Sequence, residues 1–301
     1  MNLSIGKNKF LDSFRKIQEK VFNEKNKLNI FMLNINANEF DYKLLEDNLR
    51  DPIISYAISR KVKEKYKDQA GTLVHKAKEK FLDYFQNDGE LGELLLYCFL
   101  ESHLKAAKIL SKLELKTTNK KYVNGSDGVH YLRLPNGNYQ LIFGESKMYT
   151  DLYYAIGEAF KSIKEFKHEV NSNGEKKSGI SYEKALISDN LNKEFSEEDE
   201  EFLMDIIYPR GSNDFDVDDA FGIFIGYQID ITREEKMLSH DKFRKLIANN
   251  IIKEIEKIEK SIETRIKNRQ LEGHDFYIYI VPFTNIEDKR KEILGEILNW
   301  I

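Results

Sequence analysis

Two strand-like stretches carry the residues best suited to chemistry: Ser126-Asp127-Gly128-Val129-His130 and Leu141-Ile142-Phe143-Gly144-Glu145-Ser146-Lys147. Side chains alternate across a strand, so Glu145 and Lys147 share a face with Phe143 in line beneath them. An aspartate and a glutamate brought together can hold Mg2+. A lysine beside them can orient a water or offset charge on a phosphate. These are the groups needed for metal-dependent hydrolysis of a phosphodiester. A further acid, Glu93, sits among Leu91, Leu94, Leu95 and Leu96. Glu90 has capping-box spacing from Asn87, which gives it an ordinary structural job.

Each of these residues also has a bland reading. An isolated Glu-x-Lys in a strand is commonly an ion pair on a solvated face, and Glu93 can serve the dipole of a helix N-terminus. What lifts the set above that reading is Asp127 one hairpin away and Glu93 on the preceding helix. His130 falls opposite Asp127 in a regular strand and reads as a satisfied, partly buried histidine. Cys98 reads as a small core residue, and no Cys/His set has zinc spacing. Asp214-x-Asp216-x-Asp218 imitates the start of an EF-hand loop, but Asp219 replaces the glycine and Ile225 the final glutamate. With no Walker lysine and no G-x-G-x-x-G, the chain is not expected to hydrolyse ATP itself.

The elements that must position the acids follow from periodicity. Residues 1–27 read as a charged helix with Phe10, Phe14, Ile17 and Val21 at helical spacing, and 28–35 as a strand. Residues 40–86 read as mostly helical, with Pro52 a first-turn candidate after Asp51. A strong helix follows over 88–110. Strands are predicted near 112–118, 127–134 and 139–148, the last two joined by a turn at Pro135-Asn136-Gly137-Asn138. Thr150 or Asp151 caps a helix carrying Leu152, Ala155, Ile156, Ala159, Phe160, Ile163 and Phe166 on one face. Residues 171–178 and 189–219 read as loops or a peripheral insertion. A buried strand over 220–229, a long helix over 239–270, a strand from Phe276 to Val281 stopped by Pro282, and a helix over 286–300 complete the chain. The fold class is therefore α/β, a mixed sheet with helices on its faces.

Bulk properties narrow the setting. A chain of 301 residues with 41% hydrophobic content has enough apolar material for a core without staples. The single cysteine excludes an internal disulfide, and the first thirty residues are too interrupted by charge to form a signal peptide. The longest apolar run, Leu94 to Leu100, is too short to span a membrane, so a cytoplasmic location and no membrane partner are expected. A net charge of −4 excludes coating of DNA by bulk charge, so any DNA contact must be local. Eleven acids and one base, Arg210, lie between Glu194 and Asp219, which reads as an acidic insertion near 189–219. Lys161, Lys164 and Lys167, spaced by three just beyond the candidate site, read as flanking a DNA path without reading bases.

Asp127 and Glu145-x-Lys147, preceded by a helix bearing Glu93, resemble the PD-(D/E)xK nuclease signature, without the proline that often precedes the aspartate. More narrowly, Gly89-Glu90-Leu91-Gly92-Glu93-Leu94-Leu95-Leu96-Tyr97, Ser126 to His130, Gly144 to Lys147 and Asp218-Asp219-Ala220-Phe221-Gly222-Ile223-Phe224 resemble the HamA family of Hachiman antiphage systems. The resemblance implies a restriction-endonuclease-like core over 81–301 behind an N-terminal α/β extension over 1–80. It also implies a Mg2+-dependent endodeoxyribonuclease, with Mn2+ as a substitute, working with DNA and a helicase subunit. Asp127 and Glu145 would then be metal ligands, Glu93 a further ligand directly or through water, and Lys147 the group that positions water or stabilises charge. The competing reading is a non-catalytic adaptor that keeps the nuclease fold for binding DNA or protein.

Overall fold

Continuous apolar runs at Leu28–Leu33, Ala220–Tyr227 and Phe276–Phe283 are buried along almost their whole length. Runs buried on both faces belong in the interior of a parallel sheet. The computed structural model, which describes residues 2–81, 89–114 and 125–300, places them there. In chain order, β1 (Phe14–Phe22), β2 (Asn26–Leu33) and a small hairpin of β3 (Ile35–Asn36) and β4 (Glu39–Phe40) lead into α1 (Tyr42–Ala57), α2 (Arg60–Lys65) and α3 (Ala70–Lys80). Then come α4 (Glu90–Phe99), β5 (Ala107–Ser111), β6 (Gly128–Arg133), β7 (Tyr139–Tyr149) and α5 (Leu152–His168). Three shorter helices, α6 (Ile180–Ser188), α7 (Leu191–Glu194) and α8 (Glu197–Ile207), precede β8 (Val217–Gln228). The chain closes with α9 (Arg233–Lys236), α10 (His240–Asn268), β9 (Phe276–Phe283) and α11 (Ile286–Trp300).

The main sheet has the order β1-β2-β9-β8-β7-β6-β5, parallel from β2 through β7 and antiparallel at both ends. Helices cover both faces, so the predicted mixed α/β architecture is what the chain adopts. The order helix, three strands, helix, strand is present as α4, β5 to β7, α5 and β8. The N-terminal extension joins the 81–301 body through this sheet, since β2 pairs with β9. Buried Glu101 ties the two together further, accepting hydrogen bonds from the backbone of Ser4 (3.0 Å), Ile5 (2.7 Å) and Lys108 (2.7 Å). No helix among the described residues is long and apolar enough to cross a membrane.

Packing on the two faces fixes what approaches β7. Its odd residues face α5, with the Phe143 and Phe166 rings 5.3 Å apart. Its even residues face α4: a Cβ on Gly144 would sit 3.0 Å from the Leu96 side chain, and one on Gly92 3.2 Å from Ser146 Oγ. These two glycines let α4 lie close against the sheet. On the inner face of α5, all seven residues of the predicted apolar stripe are buried, and Asp151 caps the helix by accepting from the Tyr154 N–H at 2.6 Å.

Several element predictions are corrected. Residues 14–22 form a strand instead of a helix; a bulge between Lys16 and Gln18 resets the alternation and imitates helical spacing, while Val21 is 58% exposed. Pro52 lies inside α1, which starts ten residues earlier at the Asp41 cap. The helix predicted over 88–110 ends in a π-turn at Leu100–Leu104 and a left-handed Lys105, so β5 begins at Ala107 and not near 112. Asn87, the proposed capping partner of Glu90, lies outside the described residues. Part of the 189–219 segment is helical, because Leu203, Ile206 and Ile207 give α8 a buried face despite its acids. Asp218 and Asp219 belong to β8, which leaves no calcium loop. β9 continues through Pro282, tolerated because β2 pairs only as far as Ile280.

Candidate active site

The β6–β7 register pairs Val129 with Phe143, so its continuation sets Asp127 opposite Glu145. Asp127 lies just before β6 begins, where the Ser146 N–H has no strand partner. Its Oδ2 fills that place, accepting from Ser146 N at 2.7 Å and Ser146 Oγ at 2.8 Å. The Asp127 N–H donates to Gly144 O at 2.9 Å. A backbone N–H lies in the plane of the sheet, so Asp127 is held in that plane, at the sheet's open end. Glu145 and Lys147 leave β7 on the α5 side, and Glu93 approaches from the α4 side. The layers keep Glu93 and Glu145 apart. Asp127 stands between them.

Lys112, in the turn after β5, completes the junction: its Nζ lies 3.2 Å from Asp127 Oδ1 and 3.3 Å from Glu93 Oε1. That turn is fixed by a buried ion pair of Lys108 with Glu114, and Lys108 also donates to Ser55 O at 2.8 Å. The other Glu93 oxygen accepts from the Tyr56 hydroxyl at 2.9 Å. Lys147 Nζ pairs with Glu145 Oε1 at 2.6 Å and is largely buried, not the solvated lysine of an exposed hairpin.

The electrostatics are those of crowded acids. Burial pushes Glu93 up to about 7, helped by the charges of Asp127 and Glu90 and opposed by Lys112 and the Tyr56 hydrogen bond. Burial and then Asp127 raise Glu145 against the pull of Lys147 and Lys112. For Lys147, burial favours the neutral amine, but Glu145 and Asp127 outweigh it and hold the ammonium above its ordinary range. Burial, Glu93 and Asp127 drive the Tyr56 hydroxyl well up, so it remains a donor. A further acid stands behind Asp127: buried Glu183 on α6 accepts from Ser126 Oγ at 2.9 Å, and burial raises it to about 7.

Asp127, Glu145, Lys147 and Glu93 therefore gather at one end of the sheet. Lys161, Lys164 and Lys167 do not join them; they lie along the outer side of α5, with Lys161 3.7 Å from Glu158. Sequence reading missed Tyr56, Lys112, Ser146 and Glu183. Only Ser146, inside the Glu145-x-Lys147 stretch, had a local signal. Glu90 has more than a capping role, since it is 1% exposed and its charge acts on both Glu93 and Tyr56. His130 is fully buried, but neither ring nitrogen has a hydrogen-bond partner among the described residues, and burial lowers it to about 3. It is not the satisfied histidine expected.

Among the described residues no three His, Cys, Asp or Glu side chains are arranged to hold one metal ion. The donor chemistry nevertheless suits a hard cation. Mg2+ commonly takes one or two carboxylates and completes its shell with water and substrate phosphate. Asp127 and Glu145 would supply that pair, in a cluster where Glu90, Glu93, Asp127 and Glu145 outnumber Lys112 and Lys147.

A family model for HamA matches residues 8–297, nearly the whole chain. The chain belongs to the HamA family. As a HamA protein it is a component of a Hachiman antiphage defence system. The HamA match takes in every residue of the cluster, from Tyr56 to Glu183, and the N-terminal strands that complete the sheet. A comparison with curated proteins gives no match.

Proposed function

We propose that the protein is the nuclease of its defence system, a Mg2+-dependent endodeoxyribonuclease on a restriction-endonuclease-like core, controlled by a helicase subunit. The observation that carries this reading is Asp127 set opposite Glu145, with its charge acting on Glu145, Lys147 and Glu93 together. Asp127 and Glu145 would hold the metal, which supplies charge neutralisation at the phosphate and a more acidic water. Ser146 fixes the Asp127 carboxylate through two hydrogen bonds, so one oxygen's direction is set before substrate arrives. Lys147 presents a permanent positive charge beside Glu145, suited to orienting the attacking water and offsetting charge on the phosphate oxygens. Tyr56 and Lys112 orient Glu93, whose affinity for a proton near neutrality suits it to proton exchange with water. The absence of an ATP-binding motif leaves translocation to the partner.

One observation favours the competing adaptor reading: Lys112 links Glu93 and Asp127 by ion pairs, as in a purely structural cluster. Plasmid cleavage with and without Mg2+, by the chain alone and with its helicase subunit, separates the two. Metal-dependent cutting that disappears in Asp127→Ala supports the nuclease. No cutting with Mg2+ or Mn2+ in the presence of the helicase subunit and DNA would leave the adaptor.

A further inference from the structure

Beyond the acid cluster, the α5 side of the molecule carries a cleft of about 550 Å³ between α5 and α10. Lys164 from α5, Lys260 and Arg265 from α10 and Arg269 just after it line the cleft, and among the described residues none of the four has a salt-bridged carboxylate partner. Glu158 acts on Arg269 only from a distance. The Arg265 guanidinium lies 4.5 Å from the centre of the Tyr153 ring, which forms the end of the cleft nearest the start of α5. For a chain of net charge −4, four cations lining one cleft form a marked local excess.

The cleft is continuous with the candidate site through exposed aromatic rings. Tyr149 lies two residues beyond Lys147 on the same side of β7. Its ring is 5.1 Å from that of Tyr154, the neighbour of Tyr153 at the start of α5. Tyr149, Tyr153 and Tyr154 are 36%, 58% and 53% exposed, so each keeps ring surface open to a stacking partner. Cations that track a backbone, joined to aromatic faces open to bases, are the two components of single-strand recognition. A duplex hides its base faces and has no use for the rings.

We propose that the α5–α10 cleft and Tyr149, Tyr153 and Tyr154 form a track for single-stranded DNA that leads its backbone to Lys147. The track rests on the nuclease reading only for what the strand is delivered to. Lys164, the middle of the three lysines singled out from the sequence, belongs to it.

The test uses the full-length protein in EDTA and fluorescence anisotropy with a labelled oligothymidylate and a duplex of equal length. Lys164→Ala/Lys260→Ala changes two exposed side chains and should lower the salt dependence of single-strand binding by about one counterion or slightly more. Tyr153→Ala and Tyr154→Ala should each weaken single-strand binding about fivefold or more, with little effect on duplex. Thermal melting checks that all variants are folded. Unchanged single-strand affinity and salt slope in folded variants would overturn the track, as would tighter duplex binding insensitive to the tyrosines. Cleavage is scored separately. A protein that binds through the track but never cuts DNA keeps the track and defeats the nuclease reading. One that cuts DNA while every track variant binds and cuts like wild type defeats the track alone.

Discussion

Glu93→Gln should make the folded protein more stable at pH 8 while abolishing cleavage. The Glu93 carboxyl is buried between Tyr56 and Lys112, with Asp127 and Glu90 close enough to disfavour its charge, and it titrates at about 7 against 4.5 in an unfolded chain. An acid whose folded value is raised binds its proton more tightly in the folded state. Its cost is therefore absent below about pH 4.5, develops as pH rises through about 7, and is complete above it. At about 1.4 kcal/mol per unit, the gap is worth about 3 kcal/mol, an upper bound because glutamine satisfies Tyr56 and Lys112 less well. With an unfolding entropy of about 2.1 cal/mol/K per residue, a chain of 301 residues should gain at most about 5 °C in melting temperature. The assay is thermal melting of wild type and Glu93→Gln in EDTA at pH 5 and pH 8. The expected result is a higher Tm for the variant at pH 8 and a gain at pH 5 of about a quarter of that size. Equal melting at both pH values, or equal loss at both, would show that Glu93 carries no charge strain in the fold and would refute the electrostatic picture of the cluster.

Three other outcomes are expected. Lys147→Ala should abolish Mg2+-dependent cleavage and also cost about 1–3 kcal/mol, because Glu145 loses its ion-pair partner at 2.6 Å; full activity in the folded variant would remove the lysine from the site. Tyr56→Phe removes a donor that holds Glu93 down, so the acid limb of the cleavage pH profile should move to higher pH, and an unmoved limb would exclude Glu93 from proton exchange. Glu101→Gln should destabilise the chain by about 2–4 kcal/mol, since one amide oxygen cannot replace a carboxylate that accepts from Ser4, Ile5 and Lys108; urea melts with no loss would show that this anchor is dispensable.

Local chemistry alone determined much of this molecule. The apolar stripe of α5, the isoleucine stripe of α10 and the runs of β8 and β9 each specify their element, because period and burial agree within one segment. The hairpin turn at Pro135–Asn138 and the Glu145-x-Lys147 alternation were legible for the same reason. Together with Asp127 and Glu93 they indicated where the acids gather, since a hairpin and the helix before it leave few alternatives.

Where two distant segments must meet, tertiary structure decided. Residues 14–22 carry helix-like spacing but become a strand because β2 offers an edge to pair with, and the bulge at Lys16–Gln18 absorbs the misfit. Lys112, Tyr56 and Glu183 come from three different elements, and nothing in their own neighbourhoods marks them. They reach the acids because β5 and α1 end, and α6 begins, at the same margin of the sheet as Asp127. The split of Glu93 and Glu145 onto opposite layers was likewise hidden, since alternation sets which residues of β7 share a face but not which helix covers it. Sequence names the charged groups; only packing sets the distances and burial that make a buried carboxylate hold a proton near neutrality.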